Sequence, residues 1–459
     1  MTQSNTDVPT AAAGNRPALA GPRPRSAYNV RRMPTAQTFP TPLTRNQVRG
    51  FWAAWGGWAL DGMDSFIYAL VLTPAITELL PRSGIQATPG NVGYYGSLLF
   101  ALFLFGWGCS MIWGPLADRF GRVKTLMLTI LCYSIFTFLG ALVTSVWQLA
   151  ACRMLAGVGI GGEWSMGGTF VAEEWPEDRR KTGAGYMHTG YYFGFFLAAL
   201  ANYFIGARYG WRVMFAIGGL PALLVSFIRY GVHESKRWEN KVQKRRPSML
   251  ASFGALFSPT YAKRTILNSL FLLVSVVGLW AGSVYVPTSM TQLSRAAGYT
   301  APQAAQMASY GTMILSVGTI LGCLGIAPLA ERYGRRLTLG FYFVIMFFSI
   351  AIGFGYVFYL GSIALFMVAL FFLGLGGANF AMYTLWLPEQ YSTECRASAF
   401  AFATSVGRFA GAGITFLVGA AVSHYGTLGT PVAFTSIAFL LGLLLLPMGE
   451  ETTGKELPA

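Results

Sequence analysis

Gly114-Pro-Leu-Ala-Asp118-Arg119-Phe-Gly121-Arg122 comes back in the second half of the chain as Ala327-Pro-Leu-Ala-Glu331-Arg332-Tyr-Gly334-Arg335. A second echo follows at nearly the same offset: Glu173-Glu-Trp-Pro-Glu-Asp-Arg-Arg180 and Glu389-Gln-Tyr-Ser-Thr-Glu-Cys-Arg396. Two matches in register mark an internal duplication in which each half repeats one structural plan. Each motif interrupts long apolar runs, so the repeated unit is a set of membrane-crossing segments joined by charged turns.

Composition agrees. Of 459 residues, 54% are hydrophobic and 11% charged, against roughly 25% charged in an ordinary soluble domain. The apolar runs place spans near 51–74, 92–113, 125–144, 148–171, 183–206 and 211–230, then 265–286, 304–326, 337–357, 361–387, 398–423 and 429–447. A β-barrel needs strict alternation, whereas Phe341 to Phe354 is apolar on every face, and helices are the other way to satisfy a backbone in hydrocarbon. These observations imply an all-α membrane protein of twelve transmembrane helices in two six-helix bundles. Residues 1–47, rich in Pro, Ala, Thr and Arg and lacking the apolar core of a signal peptide, are expected to form a disordered tail. The first bundle then covers 48–231 and the second 264–449. Between them, 232–263 is a linker carrying Lys236, Arg237, Lys241, Lys244, Arg245 and Arg246, and 450–459 is a short second tail.

The net charge of +15 does not gather into a nucleic-acid-binding patch. With the N-terminus inside, Arg45, Arg49, Arg119 to Lys124, Arg179 to Lys181, the linker and Arg332 to Arg336 all fall on one side, leaving Arg82, Arg208, Arg212 and Arg295 outside. That bias predicts cytoplasmic termini and an inner-membrane, multi-pass protein. Cys109, Cys132, Cys152, Cys323 and Cys395 show no CxxC or Cys/His spacing, so neither disulfides nor a metal site is expected.

The loop after span 2 resembles the signature of the major facilitator superfamily, Gly then Asp-Arg then Gly-Arg. Arg153-Met-Leu-Ala-Gly157-Val-Gly159-Ile-Gly161 resembles that family's Arg and spaced glycines in span 4. Over residues 48–450 the resemblance implies the major facilitator fold and transport by alternating access. Leu60-Asp61-Gly62-Met63-Asp64 is similar to the Asp-Gly-aromatic-Asp element of organic-anion proton symporters, with Met63 where that element carries an aromatic residue. Gly161-Gly-Glu163-Trp164 resembles the sialate and monocarboxylate branch, and Val406-Gly407-Arg408 the aromatic-acid branch.

Charges at membrane depth cost about 3 kcal/mol or more each and mark function. Asp61 and Asp64, one helical turn apart, are candidates for proton coupling, because two adjacent carboxylates in low dielectric resist ionising together. One of them could instead cap or salt-bridge a neighbouring helix. Glu163 is either a further proton site or the partner of Arg153. Arg153 could grip a substrate carboxylate or, as the resemblance implies, serve proton coupling or fix a helix break. Arg408, mid-span between Gly407 and Gly411 in a half without deep carboxylates, is the better anion ligand, or else forms a salt bridge to Asp61 or Asp64. His188, with Tyr191 and Tyr192 on one side of span 5, is a further substrate contact or a structural histidine. Trp58 lies deep enough to face a cavity. Asp118, Arg119 and Arg122, with Glu331, Arg332 and Arg335, read as a gating latch, since pure topology would not need the acidic members.

Walker A, G-x-S-x-G and H-E-x-x-H patterns are missing from the sequence, which argues against an enzyme or an ATP-driven pump. A channel of this size would carry filter loops or charged rings. What remains is a monomeric secondary carrier, driven by the proton gradient with no cofactor, taking up a small organic acid such as a sialate, a monocarboxylate or an aromatic acid. A neutral sugar carrier and a drug exporter are the alternatives.

Overall fold

The computed structural model describes residues 41–223, 249–455 and 457–458, together with 228, 231, 233, 234 and 239. Most of the expected N-terminal tail and all six linker lysines and arginines lie outside the described residues. Among the described residues nine helices are long and apolar enough to cross a membrane. In chain order the spanning helices are α1 (Arg45–Arg82), α2 (Gly90–Phe120), α3 (Arg122–Gly140), α4 (Val146–Glu174), α5 (Glu177–Tyr209), α6 (beginning at Trp211–Ile217), α7 (Ala262–Ser283), α8 (Ala301–Tyr333), α9 (Arg335–Val357), α10 (Ile363–Gln390), α11 (Arg396–Tyr425) and α12 (Gly429–Met448). The chain is thus a multi-pass membrane protein. Of the three outside the nine, α4 is long enough at 29 residues, but its glycines and buried charges dilute its apolar character, while α6 and α7 are incompletely described.

The helices outrun the apolar segments that reveal them. α1 starts at a capping box in which the Thr44 and Gln47 side chains satisfy each other's backbone N–H groups, so it begins before the apolar run near 51 and continues past Pro74. α5 carries a π-helical turn at Asn202–Gly206, the sort of irregularity that lodges in helices at working sites.

Glycine decides how closely the helices meet. A Cβ on Gly62 would lie 2.0 Å from the Tyr191 carbonyl oxygen, and one on Gly194 would lie 1.9 Å from that of Ala59, so α1 and α5 touch backbone to backbone. The repeated motif has a local cause as well. α2 passes to α3, and α8 to α9, through a single glycine at φ 111° (Gly121) or 86° (Gly334), a region that only glycine enters freely. The first backbone N–H groups after each turn are orphans of a helix start. Glu234 accepts those of Arg122, Val123 and Lys124 at 2.8–3.3 Å, and Glu451 accepts those of Arg335 and Arg336 at 3.0 and 3.2 Å. Each half therefore closes on its own trailing carboxylate. The stretch after α12 is packed and not free: Trp386 Nε1 donates to the Glu450 carbonyl at 2.9 Å, and Arg396 Nη2 to that of Pro458 at 2.7 Å.

Candidate functional site: a central aromatic chamber and a charged latch

Where the two bundles meet in mid-membrane, Trp58 of α1, Trp107 of α2, Trp164 of α4, His188, Tyr191 and Tyr192 of α5, Phe380 of α10 and Arg408 of α11 enclose a small chamber of about 10 Å³. Its walls are aromatic rings, some of them near-parallel. Trp58 stacks on Tyr191 at 4.5 Å and on Trp164 at 5.7 Å between centroids. The Arg408 guanidinium lies 4.0 Å over the Trp107 ring and 5.7 Å from Trp164, the geometry in which an aromatic face partly offsets the loss of water. Its Nη1 donates to the Thr404 carbonyl of its own helix, while its Nε has no partner. No described carboxylate stands within ion-pair distance of Arg408. Trp164 Nε1 donates to Thr384 Oγ1 at 2.8 Å and Tyr192 donates to the Gly377 carbonyl at 3.2 Å, so both α4 and α5 are tied to α10 beside the chamber.

The three deep carboxylates fall into two groups. Asp64 pairs with Arg153 at 3.4 Å, both fully buried. The guanidinium is wrapped by the rings of Phe103 at 4.4 Å and Tyr68 at 5.0 Å. This pair sits inside the first bundle and does not line the chamber. Asp61 and Glu163 are equally buried, and none of their four oxygens meets a hydrogen-bonding partner at ordinary geometry, although the Tyr133 side chain stands beside Asp61. They neighbour each other, and Asp61 also senses Arg408 across the bundle interface. Gly57 gives the Glu163 carboxylate its place, since a Cβ there would lie 2.3 Å from Oε2.

At the face carrying the repeated motifs, buried charges interlock the bundles. Glu173 of the first half accepts from Arg122 at 3.1 Å and from Arg396 of the second half at 3.2 Å. Reciprocally, Glu389 accepts from Arg335 at 2.9 Å and from Arg180 of the first half at 3.5 Å. The second sequence echo is thus a pair of crossed bonds, in which each half's arginine reaches the other half's glutamate. Asp118 accepts from the Ser398 N–H at 3.1 Å and from its hydroxyl, and Lys181 meets Glu331 at 2.9 Å. Outside the membrane segments, burial pushes the Glu234 carboxyl above its ordinary 4.5 against its three backbone donors. Burial acts on Glu451 in the same direction, but the Thr453 side chain and the N–H groups of Arg335, Arg336 and Thr453 bring it below 4.5. At the opposite face a wider crevice of about 610 Å³ runs between the bundles, lined by Thr73, Asn202, Arg208, Thr288 and Gln292 among others.

The sequence description of the Major Facilitator Superfamily matches residues 54–325. The chain belongs to this superfamily. A probable 4-methylmuconolactone transporter of Cupriavidus pinatubonensis is 31% identical over 422 residues, covering 89% of this chain and 91% of the relative. The niacin transporter NiaP of Acinetobacter baylyi is 27% identical over 91% of this chain and 97% of its own length. Among solved structures, a proton:xylose symporter of the same superfamily superposes with a TM-score of 0.71 over 90% of this chain and 98% of its own; at 18% identity the likeness speaks for the fold alone. The major facilitator fold of two six-helix bundles, and a transporter in place of an enzyme, are therefore established for this chain.

Within this major facilitator framework the residues singled out from sequence are distributed unevenly. Arg408, His188 and Tyr191 share the chamber. Arg153 lies away from it, occupied by Asp64 and not by Glu163. Asp118, Arg122, Glu331 and Arg335 belong to the charged cluster, whereas Arg119 and Arg332 are exposed and rest against Phe120 and Tyr333, each 5.3 Å from the ring. Sequence reasoning placed Tyr192 beside His188 but missed the ring walls Trp107, Trp164 and Phe380, and in the charged cluster Glu173, Arg180, Glu389, Arg396 and Ser398. The second echo held the signal for four of those five.

Proposed function

We propose that this chain takes up a small organic acid with a flat ring body together with protons, by alternating access, binding the carboxylate at Arg408. The observation that carries this reading is a deeply buried guanidinium with no carboxylate partner among the described residues, set beside the rings of Trp107 and Trp164. A planar fork is suited to bidentate carboxylate contact, and flat walls are suited to stacking on an unsaturated ring. The lone cation at the chamber disfavours export of cationic drugs. Niacin, the substrate named for one relative, is a ring carboxylate of this kind.

Asp61 and Glu163 supply the proton site in this account. A buried carboxylate without an ion-pair partner is expensive, and a proton removes the charge. Ionised Asp61 attracts Arg408 and competes with the substrate; protonated Asp61 frees Arg408 for the incoming anion. Proton and anion then strengthen each other's binding by the same factor. The Asp64–Arg153 pair, already neutral overall, takes a structural part. The proton gradient is the energy source, no cofactor is required, and a single chain in the inner membrane with both termini cytoplasmic performs the cycle. In this orientation the charged cluster is the cytoplasmic gate, closed in the structure.

Binding of radiolabelled ring carboxylates to purified protein between about pH 5 and 8 tests the reading. Arg408→Ala should lose binding at every pH, while Asp61→Asn should keep binding and lose its pH dependence. Undiminished binding by Arg408→Ala would overturn the assignment.

A further inference from the structure

His188 brings to the chamber two ring nitrogens that are both idle, beside the idle Trp58 Nε1. It is 1% exposed, and neither ring nitrogen has a partner among the described residues. A neutral imidazole holds one donor and one acceptor, and leaving both buried and unused costs free energy that a well-packed site does not waste without reason. Its ring neighbours are aromatic. Trp164 stands 5.3 Å away, Trp58 5.8 Å, and the Phe380 ring lies parallel to the imidazole at 6.4 Å. The nearby Tyr192 hydroxyl is already committed to the Gly377 carbonyl. His188 belongs to the first bundle and Arg408 to the second; each lies beside the Trp164 ring, and both line the same chamber.

We infer that the substrate is two-ended: a ring acid whose carboxylate meets Arg408 and whose second hydrogen-bonding group, a ring nitrogen, hydroxyl or carbonyl remote from the acid, meets His188. The inference rests on the organic-anion reading above and narrows it. A two-ended ligand touches both bundles at once and so favours the occluded arrangement in which they close on it. An acid lacking the second group leaves the imidazole buried and unsatisfied. Sites built to hydrogen-bond a substrate group reject analogues without it far more strongly than they reject a missing methylene.

The test compares benzoate, 4-hydroxybenzoate and nicotinate for proton-driven uptake into proteoliposomes containing the full chain. Wild type should favour 4-hydroxybenzoate or nicotinate over benzoate by about tenfold or more in kcat/KM. His188→Leu should pull that ratio towards one while still transporting benzoate, and His188→Gln, which keeps a donor and an acceptor, should restore part of it. A merely structural histidine would lower uptake of all three acids in proportion, and that outcome overturns the inference. So does equal use of the three acids by wild type, which would leave the anion reading standing. Uptake of none of them, with the protein shown folded by its thermal transition, would overturn the anion reading and this inference together.

Discussion

Glu173→Gln is expected to loosen the motif face. In the structure the Glu173 carboxylate holds two buried guanidinium groups, Arg122 from its own bundle and Arg396 from the other, at 3.1 and 3.2 Å. Breaking one partner of a buried ion pair costs about 3–5 kcal/mol. The low end applies here, because Arg122 retains Asp118 at 3.2 Å and Arg396 retains the carbonyls of Pro388 and Pro458. When the bundles part, Arg396 regains water, so most of that cost falls on the closed state alone. About 3 kcal/mol at 1.4 kcal/mol per tenfold is roughly a hundredfold shift towards the open arrangement. Spin labels on cysteines placed at Arg119 and Arg332, both exposed and on opposite bundles, report it as a longer inter-label distance by pulsed electron resonance, after the five native cysteines are replaced. Arg396→Gln added to Glu173→Gln should cost little more, since the pair is already broken. An unchanged distance distribution in Glu173→Gln, or strictly additive effects of the two substitutions, would refute the crossed-bond latch.

Asp61→Asn and Glu163→Gln should each abolish uphill uptake while sparing counterflow exchange, measured with and without an imposed pH gradient; retention of accumulation by both variants would remove them as proton sites. Asp64→Asn should instead act on stability, lowering the unfolding free energy by about 3–5 kcal/mol, because it leaves Arg153 buried without its carboxylate. Its readout is the thermal midpoint in detergent, and a midpoint equal to that of Asp61→Asn would contradict the division of labour. The two trailing carboxylates should titrate apart. Glu234, raised, takes its proton above pH 4.5, and its ionisation costs stability as pH rises through that range; Glu451, depressed, contributes stability above 4.5 that is lost only as pH falls below it. Amide exchange at 122–124 should therefore respond to acidification before exchange at 335–336, and the reverse order would count against the capping geometry.

The spans and the duplication were legible in the sequence because both depend on local properties: unbroken apolar runs, and turn residues fixed by backbone demands such as the positive φ of Gly121 and Gly334. Arg408 stood out because a mid-span charge between glycines has few explanations. Pairing was not legible. Asp61 and Asp64 differ by one turn, yet Asp64 faces into the first bundle towards Arg153 and Asp61 faces Glu163 and the bundle interface. Spacing alone cannot separate them, since the outcome depends on how α4 rotates against α1, where Gly50 meets Phe170, Gly57 meets Glu163 and Gly167 meets Ala54. The ring walls escaped for a related reason: Trp107, Trp164 and Phe380 come from three helices, and a tryptophan in an apolar run looks the same in sequence whether it faces lipid or a partner bundle. Glu173, Arg180, Glu389 and Arg396 were visible as a repeat, but their crossing from one half to the other needed the tertiary arrangement.

The central claim is proton-coupled accumulation of a ring carboxylate bound at Arg408, and the most direct measurement is uptake of radiolabelled nicotinate or 4-hydroxybenzoate into proteoliposomes under an inward-directed pH gradient. The account predicts internal substrate rising above the external concentration, collapse of that excess on adding a protonophore, and no accumulation by Arg408→Ala. Uptake that merely equilibrates and ignores the pH gradient, or full accumulation by Arg408→Ala, would contradict it.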